Sequence, residues 1–393
     1  MRFGGRRLWF AGIGGAGMSA LAVVTRAWGA EVGGWDRVRT AYLERLEGVE
    51  VEISLAPPTP PEGWEVIVSS AFAAQVAGRP RGELLAEVVA LGPSVVVAGA
   101  HGKTTTAAMI AFCLDRVGRD PSFLIGGDVP QLGGNARAGE GWLVAEGDES
   151  DRSLALLRPE IAVLTNIDLD HHAEFASRVE VEALFATWAS RADNVVRGDT
   201  LEPVALELAV PGLHNRQNAA CALAALELAG VAREEAERAL LEFQGVGRRF
   251  ELRGEAGGVV VYDDYGHNPA KVEAAIETAR AVTGGRVIVV FQPHLYSRTL
   301  HTARELAAAL ARADIVCVTD VYAAREQPLA GVTGRLVVDA LGDVRPGFVP
   351  GWTPTVEDAA RFAVRHARAG DLVLTVGAGD VDRAAALVLE ALS

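Results

Sequence analysis

The chain has 393 residues, 50% hydrophobic and 22% charged, which excludes a disordered or collagen-like polymer and leaves room for two or three domains of about 150 residues each. Its 51 acidic against 37 basic side chains give a formal charge of -14, which excludes a general nucleic-acid binder because such a protein needs a basic face. Cys113, Cys221 and Cys317 are too few and too scattered for a disulfide framework or a zinc cluster, so a reducing cytoplasm is expected.

The basic start, residues 2–7, precedes an uncharged stretch from Leu8 to Thr25 and invites a signal-peptide reading. Glycines at 12, 14, 15 and 17 oppose it, because they are poor formers of a helical core. No other run approaches about 18 uncharged apolar residues, so no membrane span is expected. Downstream, short apolar runs alternate with helical stretches rich in Ala, Leu, Glu and Arg. Strands are predicted at 7–11, 66–68, 94–98, 142–145, 161–164, 259–262, 286–291, 315–318 and 372–376. This alternation predicts α/β layers with mostly parallel sheets, whose ligands bind beyond the carboxyl ends of the strands.

The first strand runs into Gly12-Ile-Gly-Gly-Ala-Gly17 at the start of a helix, with Asp36 further on where an acid meets a ribose. Alone, that pattern suggests NAD, or a glycine turn with no ligand; its backbone N–H groups suit any diphosphate. The second motif is Gly102-Lys103-Thr104, between a strand and a helix. It is a variant phosphate loop, with Val97 where the full spacing wants glycine. Lys103 is one of only two lysines, the other being Lys271. In such a loop the lysine reaches terminal phosphates and Thr104 meets Mg²⁺. Glu146-Gly-Asp-Glu-Ser-Asp151 follows the next strand as a carboxylate cluster suited to Mg²⁺, or else a solvated acidic turn. Thr165-Asn-Ile-Asp-Leu-Asp-His-His172 ends the strand after that and extends the possible metal site.

Together with Val68-Ser-Ser-Ala71, His214-Asn-Arg-Gln-Asn218, Gly247-Arg-Arg-Phe250, Asp263-Asp-Tyr-Gly-His267, Phe291-Gln-Pro-His294 and Arg298, these strings resemble the Mur ligases nearly end to end. The resemblance implies three domains: a Rossmann-like one at 1–92 for a UDP-sugar, a central ATP-binding P-loop domain with a mostly parallel, abbreviated sheet at 93–244, and a Rossmann-like one at 245–393 for an amino acid. It implies a cytoplasmic ligase of peptidoglycan precursor synthesis, monomeric or homodimeric, that uses ATP and Mg²⁺ to join L-alanine to UDP-N-acetylmuramate through an acyl phosphate. Gly12, Gly14, Gly15, Ala16, Gly17, Asp36, Ser69, Ser70 and His101 then hold the UDP-sugar. Gly102, Lys103, Thr104, Thr105, Asn215, Arg249 and Asp264 hold ATP, and Thr104, Glu146 and His171 the metal. Tyr265, His267 and Arg298 surround the amino acid. Lys103, His267 and Arg298 are the catalytic candidates, with His267 as the base. Rival readings are a ligase adding a peptide or another amino acid, an NAD-dependent oxidoreductase, and a non-catalytic nucleotide-binding regulator.

Four departures from the family pattern stand out. The stretch from His171 to Pro211 is short, and Ala173 and Phe175 replace polar positions. Trp35 stands where a small serine is common, altering the surroundings of the uridine. Leu295 replaces an arginine, leaving Arg298 as the main clamp for the amino-acid carboxylate. No lysine lies between Lys103 and Lys271, so a carbamylated lysine cannot bridge metal there, in keeping with the alanine-adding branch.

Overall fold

The computed structural model of the protein describes residues 2–168, 175, 177–324 and 326–393. Three sheets divide between two compact units, one made of Met1–Ala209 and Leu213–Val246, the other of Val210–Gly212 and Gly247–Ser393.

The first sheet comprises β1 (Arg7–Ala11), β2 (Glu31–Asp36), β3 (Glu50–Ile53), β4 (Glu65–Val68) and β5 (Arg79–Pro80), with α1 (Ala16–Ala27) and α2 (Arg81–Val89). It is wholly parallel in the order β3-β2-β1-β4-β5. Its close packing dictates a glycine in β2, where a Cβ on Gly34 would stand 2.5 Å from the Phe10 carbonyl oxygen.

The second sheet comprises β6 (Ser94–Ala98), β7 (Ser122–Val129), β8 (Gly134–Arg137), β9 (Leu143–Glu146), β10 (Ile161–Leu164) and β11 (Asn194–Arg197). Its helices are α3 (Lys103–Arg116), α4 (Arg178–Ala189), α5 (Leu213–Leu228) and α6 (Arg233–Leu240). The order is β11-β10-β6-β9-β7-β8, parallel except for the β7–β8 pair. Strand β6 is buried along its whole length, which explains its unbroken Val-Val-Val run. Residues 201–212, in the stretch expected to be short, reach α5 without helix or strand. Helix α1 of the first sheet packs on β7 and β8 of the second. One apolar cluster runs through both layers, from Leu8, Phe10 and Leu21 to Val96, Leu154 and Trp188.

The other unit holds β12 (Glu251–Ala256), β13 (Val259–Asp264), β14 (Val287–Phe291), β15 (Ile315–Val318), β16 (Gly351–Trp352) and β17 (Leu372–Val376). They lie in the order β12-β13-β17-β14-β15-β16, with β12 antiparallel. Helices α7 (Pro269–Val282), α8 (Tyr296–Leu310), α9 (Arg335–Val344), α10 (Val356–His366) and α11 (Asp382–Leu392) enclose two apolar clusters. Helix α7 begins where Asn268 accepts from the Lys271 N–H and Pro269 takes the first helical position. No helix among the described residues is long and apolar enough to cross a membrane. The architecture is the mostly parallel α/β arrangement expected from the sequence.

Candidate active site

Strand β6 ends at Ala98, and the chain turns through Gly99–Gly102 into α3. Val97 is still inside the strand, paired with Val163 and Glu146, so the turn starts two residues later than the full phosphate-loop spacing supposes. Gly102 caps α3 at φ +80, and a Cβ there would collide with the Asn218 side chain of α5. Both constraints demand glycine. Lys103, Thr104 and Thr105 open the helix, the two threonines buried.

The Lys103 ammonium donates to the Gly99 carbonyl at 2.5 Å and to both oxygens of Glu149 at 3.0 Å. The Thr104 hydroxyl donates to Glu146 Oε2 at 3.0 Å, and Glu146 Oε1 accepts the Gly126 N–H at 2.5 Å. Glu146 and Thr104 thus bring two oxygen donors together at the end of β9 and the start of α3, a set that suits a hard cation such as Mg²⁺. His171, the third expected metal ligand, lies outside the described residues, as do Ala173 and His172. His101 is fixed through its backbone: its N–H donates to Asn166 Oδ1 at 2.9 Å, and its carbonyl accepts from Thr165 and Asn166 at 2.6 and 2.9 Å. Asn215 is buried in the first turn of α5, near Asn218.

The acidic turn after β9 is only partly solvated: the Asp148 side chain is half-exposed, but Glu149 is buried, 3% exposed. Burial pulls the Asp148 carboxyl upward, yet the Ser150 hydrogen bonds and the charges of Lys103 and Arg81 hold it below the usual carboxylate range. Asp151 accepts from the Ser153 N–H at 2.9 Å.

In the first sheet, the glycine turn follows β1 and Gly15 caps α1. Asp36, buried at the end of β2, accepts the Gly14 N–H at 2.8 Å and the Arg37 N–H at 2.7 Å. It therefore shapes the turn itself. Thr40 donates to the Gly14 carbonyl at 2.7 Å, and Asn135 of β8 donates to Ala16 at 3.0 Å. Gly12 and Gly17 complete the turn, and Ser69 caps the short helical turn that opens with Ser70. Trp35 is wholly buried, edge-on to Phe72 at 4.8 Å between ring centres, with its N–H on Ser54. Its effect is on the shape of the core, not on an exposed face.

The C-terminal unit carries its candidates just before β12 (Arg249), at the end of β13 (Asp264, Tyr265 and His267) and in the helix that follows β14 (Arg298). Asp264 accepts the Phe250 N–H at 2.8 Å and the Gly266 N–H at 2.7 Å. Burial pushes its carboxyl up to about 6 against the pull of Arg249 and these N–H groups. The Arg248 and Arg249 guanidinium groups lie over the Tyr265 ring at 5.1 and 5.3 Å. His267 Nδ1 stands 3.0 Å from the Tyr265 carbonyl, an acceptor only, so the neutral ring carries its proton on Nδ1 and its lone pair on Nε2. Arg298, in the first turn of α8, donates to His294 Nδ1 at 3.1 Å, and the His294 ring lies 5.7 Å from that of His267. Leu295 introduces α8 at φ +69, ψ 133.

The expected residues therefore fall into two groups. Lys103, Thr104, Thr105, Glu146, Asn215 and the glycine turn belong to one unit; Arg249, Asp264, Tyr265, His267 and Arg298 belong to the other. Three residues make contacts that the sequence does not announce: Glu149 and Arg248 stand inside recognised motifs, and Arg81 stands outside them. Glu149 holds Lys103; Arg81 binds Asp151 at 3.3 Å; Arg248 binds Asp263 at 3.0 Å and the carbonyls of Gly377 and Gly379.

Family models agree with these motifs. One described as Mur ligase middle domain matches residues 97–190, and one described as Mur ligase, glutamate ligase domain matches 248–379. The chain is 36% identical to the UDP-N-acetylmuramate–L-alanine ligase of Desulforamulus reducens over 442 aligned residues, covering 96% of each. It is 37% identical to that of Thermobifida fusca over 459, covering 98% of this chain and 96% of the relative. Both alignments are longer than this chain, so the relatives carry segments that it lacks. Among solved structures, the UDP-N-acetylmuramate–alanine ligase from Thermotoga maritima matches with a TM-score of 0.82 at 26% identity, 98% of each chain being covered. A murein peptide ligase from Psychrobacter arcticus shares the fold, with a TM-score of 0.66 at 23% identity over 99% of each. With its phosphate loop and acidic turn placed as above and relatives aligned nearly end to end, the chain belongs to the Mur ligase family.

Proposed function

We propose that the protein is an ATP-dependent ligase that joins L-alanine to the lactyl carboxylate of UDP-N-acetylmuramate, a cytoplasmic step in peptidoglycan precursor synthesis. The observation that carries this reading is the hydrogen bond that joins Thr104, beside Lys103 in the phosphate loop, to Glu146 at the end of β9, in a chain 36% identical over nearly its whole length to a ligase of that name. Residues 1–92 take the sugar nucleotide, 93–244 take ATP and 245–393 take the amino acid.

A carboxylate repels a nucleophile and has no good leaving group. A carboxylate oxygen of the sugar substrate attacks the γ-phosphorus of ATP, the bond to ADP breaks, and an acyl phosphate results. The alanine amine then attacks the acyl carbon, and the tetrahedral adduct expels inorganic phosphate. Catalysis consists of positioning and charge neutralisation. In this reading Lys103 meets the terminal phosphates, and Arg298 meets the negative oxygens of amino acid and adduct. His267, with its lone pair on Nε2, takes the proton from the attacking amine. Asn215, Arg249 and Asp264 hold the nucleoside and phosphates of ATP. Thr104, Glu146 and His171 would hold Mg²⁺, which supplies positive charge against the phosphate oxygens.

Phosphate release is the direct test, with ATP, Mg²⁺, UDP-N-acetylmuramate and each amino acid in turn. Release that requires both the sugar nucleotide and L-alanine, and is lost in Lys103→Ala, is the expected result. Release only with a peptide acceptor would move the chain to the peptide-adding branch. Tight binding of NADH without ATP turnover would overturn the reading.

A further inference from the structure

Arg81, the first residue of α2, lies between two loops that the function uses separately. Its side chain is 17% exposed. On one side its Nη2 meets Asp151 at 3.3 Å and Asp148 at 3.6 Å, both in the acidic turn that follows Glu146. On the other, Nη1 lies against the first turn of α1, so close that a Cβ on Gly17 would stand 2.6 Å away. The start of α2 is also seated on that acidic segment, since a Cβ on Gly82 would collide with the Ser153 side chain. A guanidinium is a planar fork with five donors, able to serve two anions on different edges; an ammonium is a single point charge.

We propose that Arg81 is a shared ligand, giving its Nη1 edge to the diphosphate of the sugar nucleotide at the first turn of α1 while its Nη2 edge keeps Asp148 and Asp151, so that sugar-nucleotide and ATP binding are coupled. This rests on the reading of the glycine turn as the sugar-nucleotide site. With the diphosphate in place, α1, α2 and the acidic turn are joined through one cation. The turn carrying Glu146 and Glu149 is then already fixed when ATP arrives, and the second ligand meets a smaller ordering cost. Coupling is reciprocal, so ATP tightens the sugar nucleotide by the same factor.

The test is calorimetric titration of the full-length protein in Mg²⁺ with a non-hydrolysable ATP analogue, with and without saturating UDP-N-acetylmuramate. The parent is expected to bind the analogue at least about fivefold more tightly when the sugar nucleotide is present. Arg81→Ala weakens the sugar nucleotide about tenfold or more and brings the coupling ratio close to one. Arg81→Lys keeps part of the affinity and loses the coupling, while Asp151→Asn lowers the coupling ratio far more than the sugar affinity. A merely structural role would lower the melting temperature of these variants and leave the ratio at the parent value. An unchanged ratio in Arg81→Ala and Arg81→Lys, or no coupling in the parent, overturns the proposal. Failure of the parent to bind UDP-N-acetylmuramate at all would instead overturn the assignment of the glycine turn, and the proposal with it.

Discussion

Lys103 and Glu149 form a buried ion pair, the ammonium 3.0 Å from each carboxylate oxygen, with side chains 19% and 3% exposed. Removing one partner of such a pair leaves the other charge uncompensated. Lys103→Ala is expected to lower kcat by about 10³-fold or more, and to destabilise the fold by about 2–3 kcal/mol. The double variant Lys103→Ala/Glu149→Ala should recover most of that stability and none of the activity. Denaturant unfolding of all three proteins checks it; equal stabilities for the single and double variants would contradict the pair's importance.

Glu146 and Thr104, joined by a hydrogen bond, are the described oxygen donors of the proposed Mg²⁺ site. Excess EDTA should abolish phosphate release, with full recovery on adding Mg²⁺. Glu146→Gln should raise the Mg²⁺ concentration needed for half-maximal rate about tenfold or more, in line with the loss of one anionic ligand. A Mg²⁺ titration matching the parent's would remove Glu146 from the metal site.

Asp264 gives a pH signature of opposite sign to ordinary acid denaturation. Burial disfavours its charge and pushes the folded carboxyl up to about 6 from the ordinary aspartate value of 3.8, so the folded state holds this proton more tightly than the unfolded one. The corresponding stability is fully present below pH 3.8 and is lost as pH rises through 6, a change of about 2–3 kcal/mol. Subtracting the stability-versus-pH curve of Asp264→Asn from that of the parent should expose this fall. A flat difference curve between pH 4 and 7 would refute it.

Leu295 holds φ +69 in front of α8, a conformation that costs a side chain about 1 kcal/mol or more. Its N–H donates to Tyr322 and its carbonyl accepts from Thr299, so the backbone is pinned there. Leu295→Gly should therefore raise stability by about 0.5–1 kcal/mol. Because the residue lies between His294 and Arg298, the same change should alter KM for L-alanine more than KM for ATP. A destabilised variant would show that Leu295 packing outweighs the backbone strain.

Strands with both faces covered were legible from sequence. Strands β6, β10, β15 and β17 coincide with their apolar runs because full burial allows no polar alternation. Strand β2, Glu-Val-Gly-Gly-Trp-Asp, was hidden because the glycine that breaks its pattern is required by the approach of Phe10. Strands β7 and β12 carry glycines and exposed positions, and β16 has only two residues. At the candidate site, Gly102, Lys103 and Thr104 stand together in one short string and Glu146 closes an apolar run, so local pattern alone singles each of them out. The service of Glu149 to Lys103, and of Arg81 to Asp151, joins positions 46 and 70 residues apart, which no local pattern reports.

The seat of α1 on β7 and β8 has a practical consequence for dissection of the chain. An excised 1–92 fragment would bring into water the face of α1 that packs on β7 and β8. It would also leave Arg45 and Arg81 without Asp128 and Asp151. Such a fragment should precipitate or self-associate, so a piece meant to keep the glycine turn native should take in the whole first unit, through residue 246.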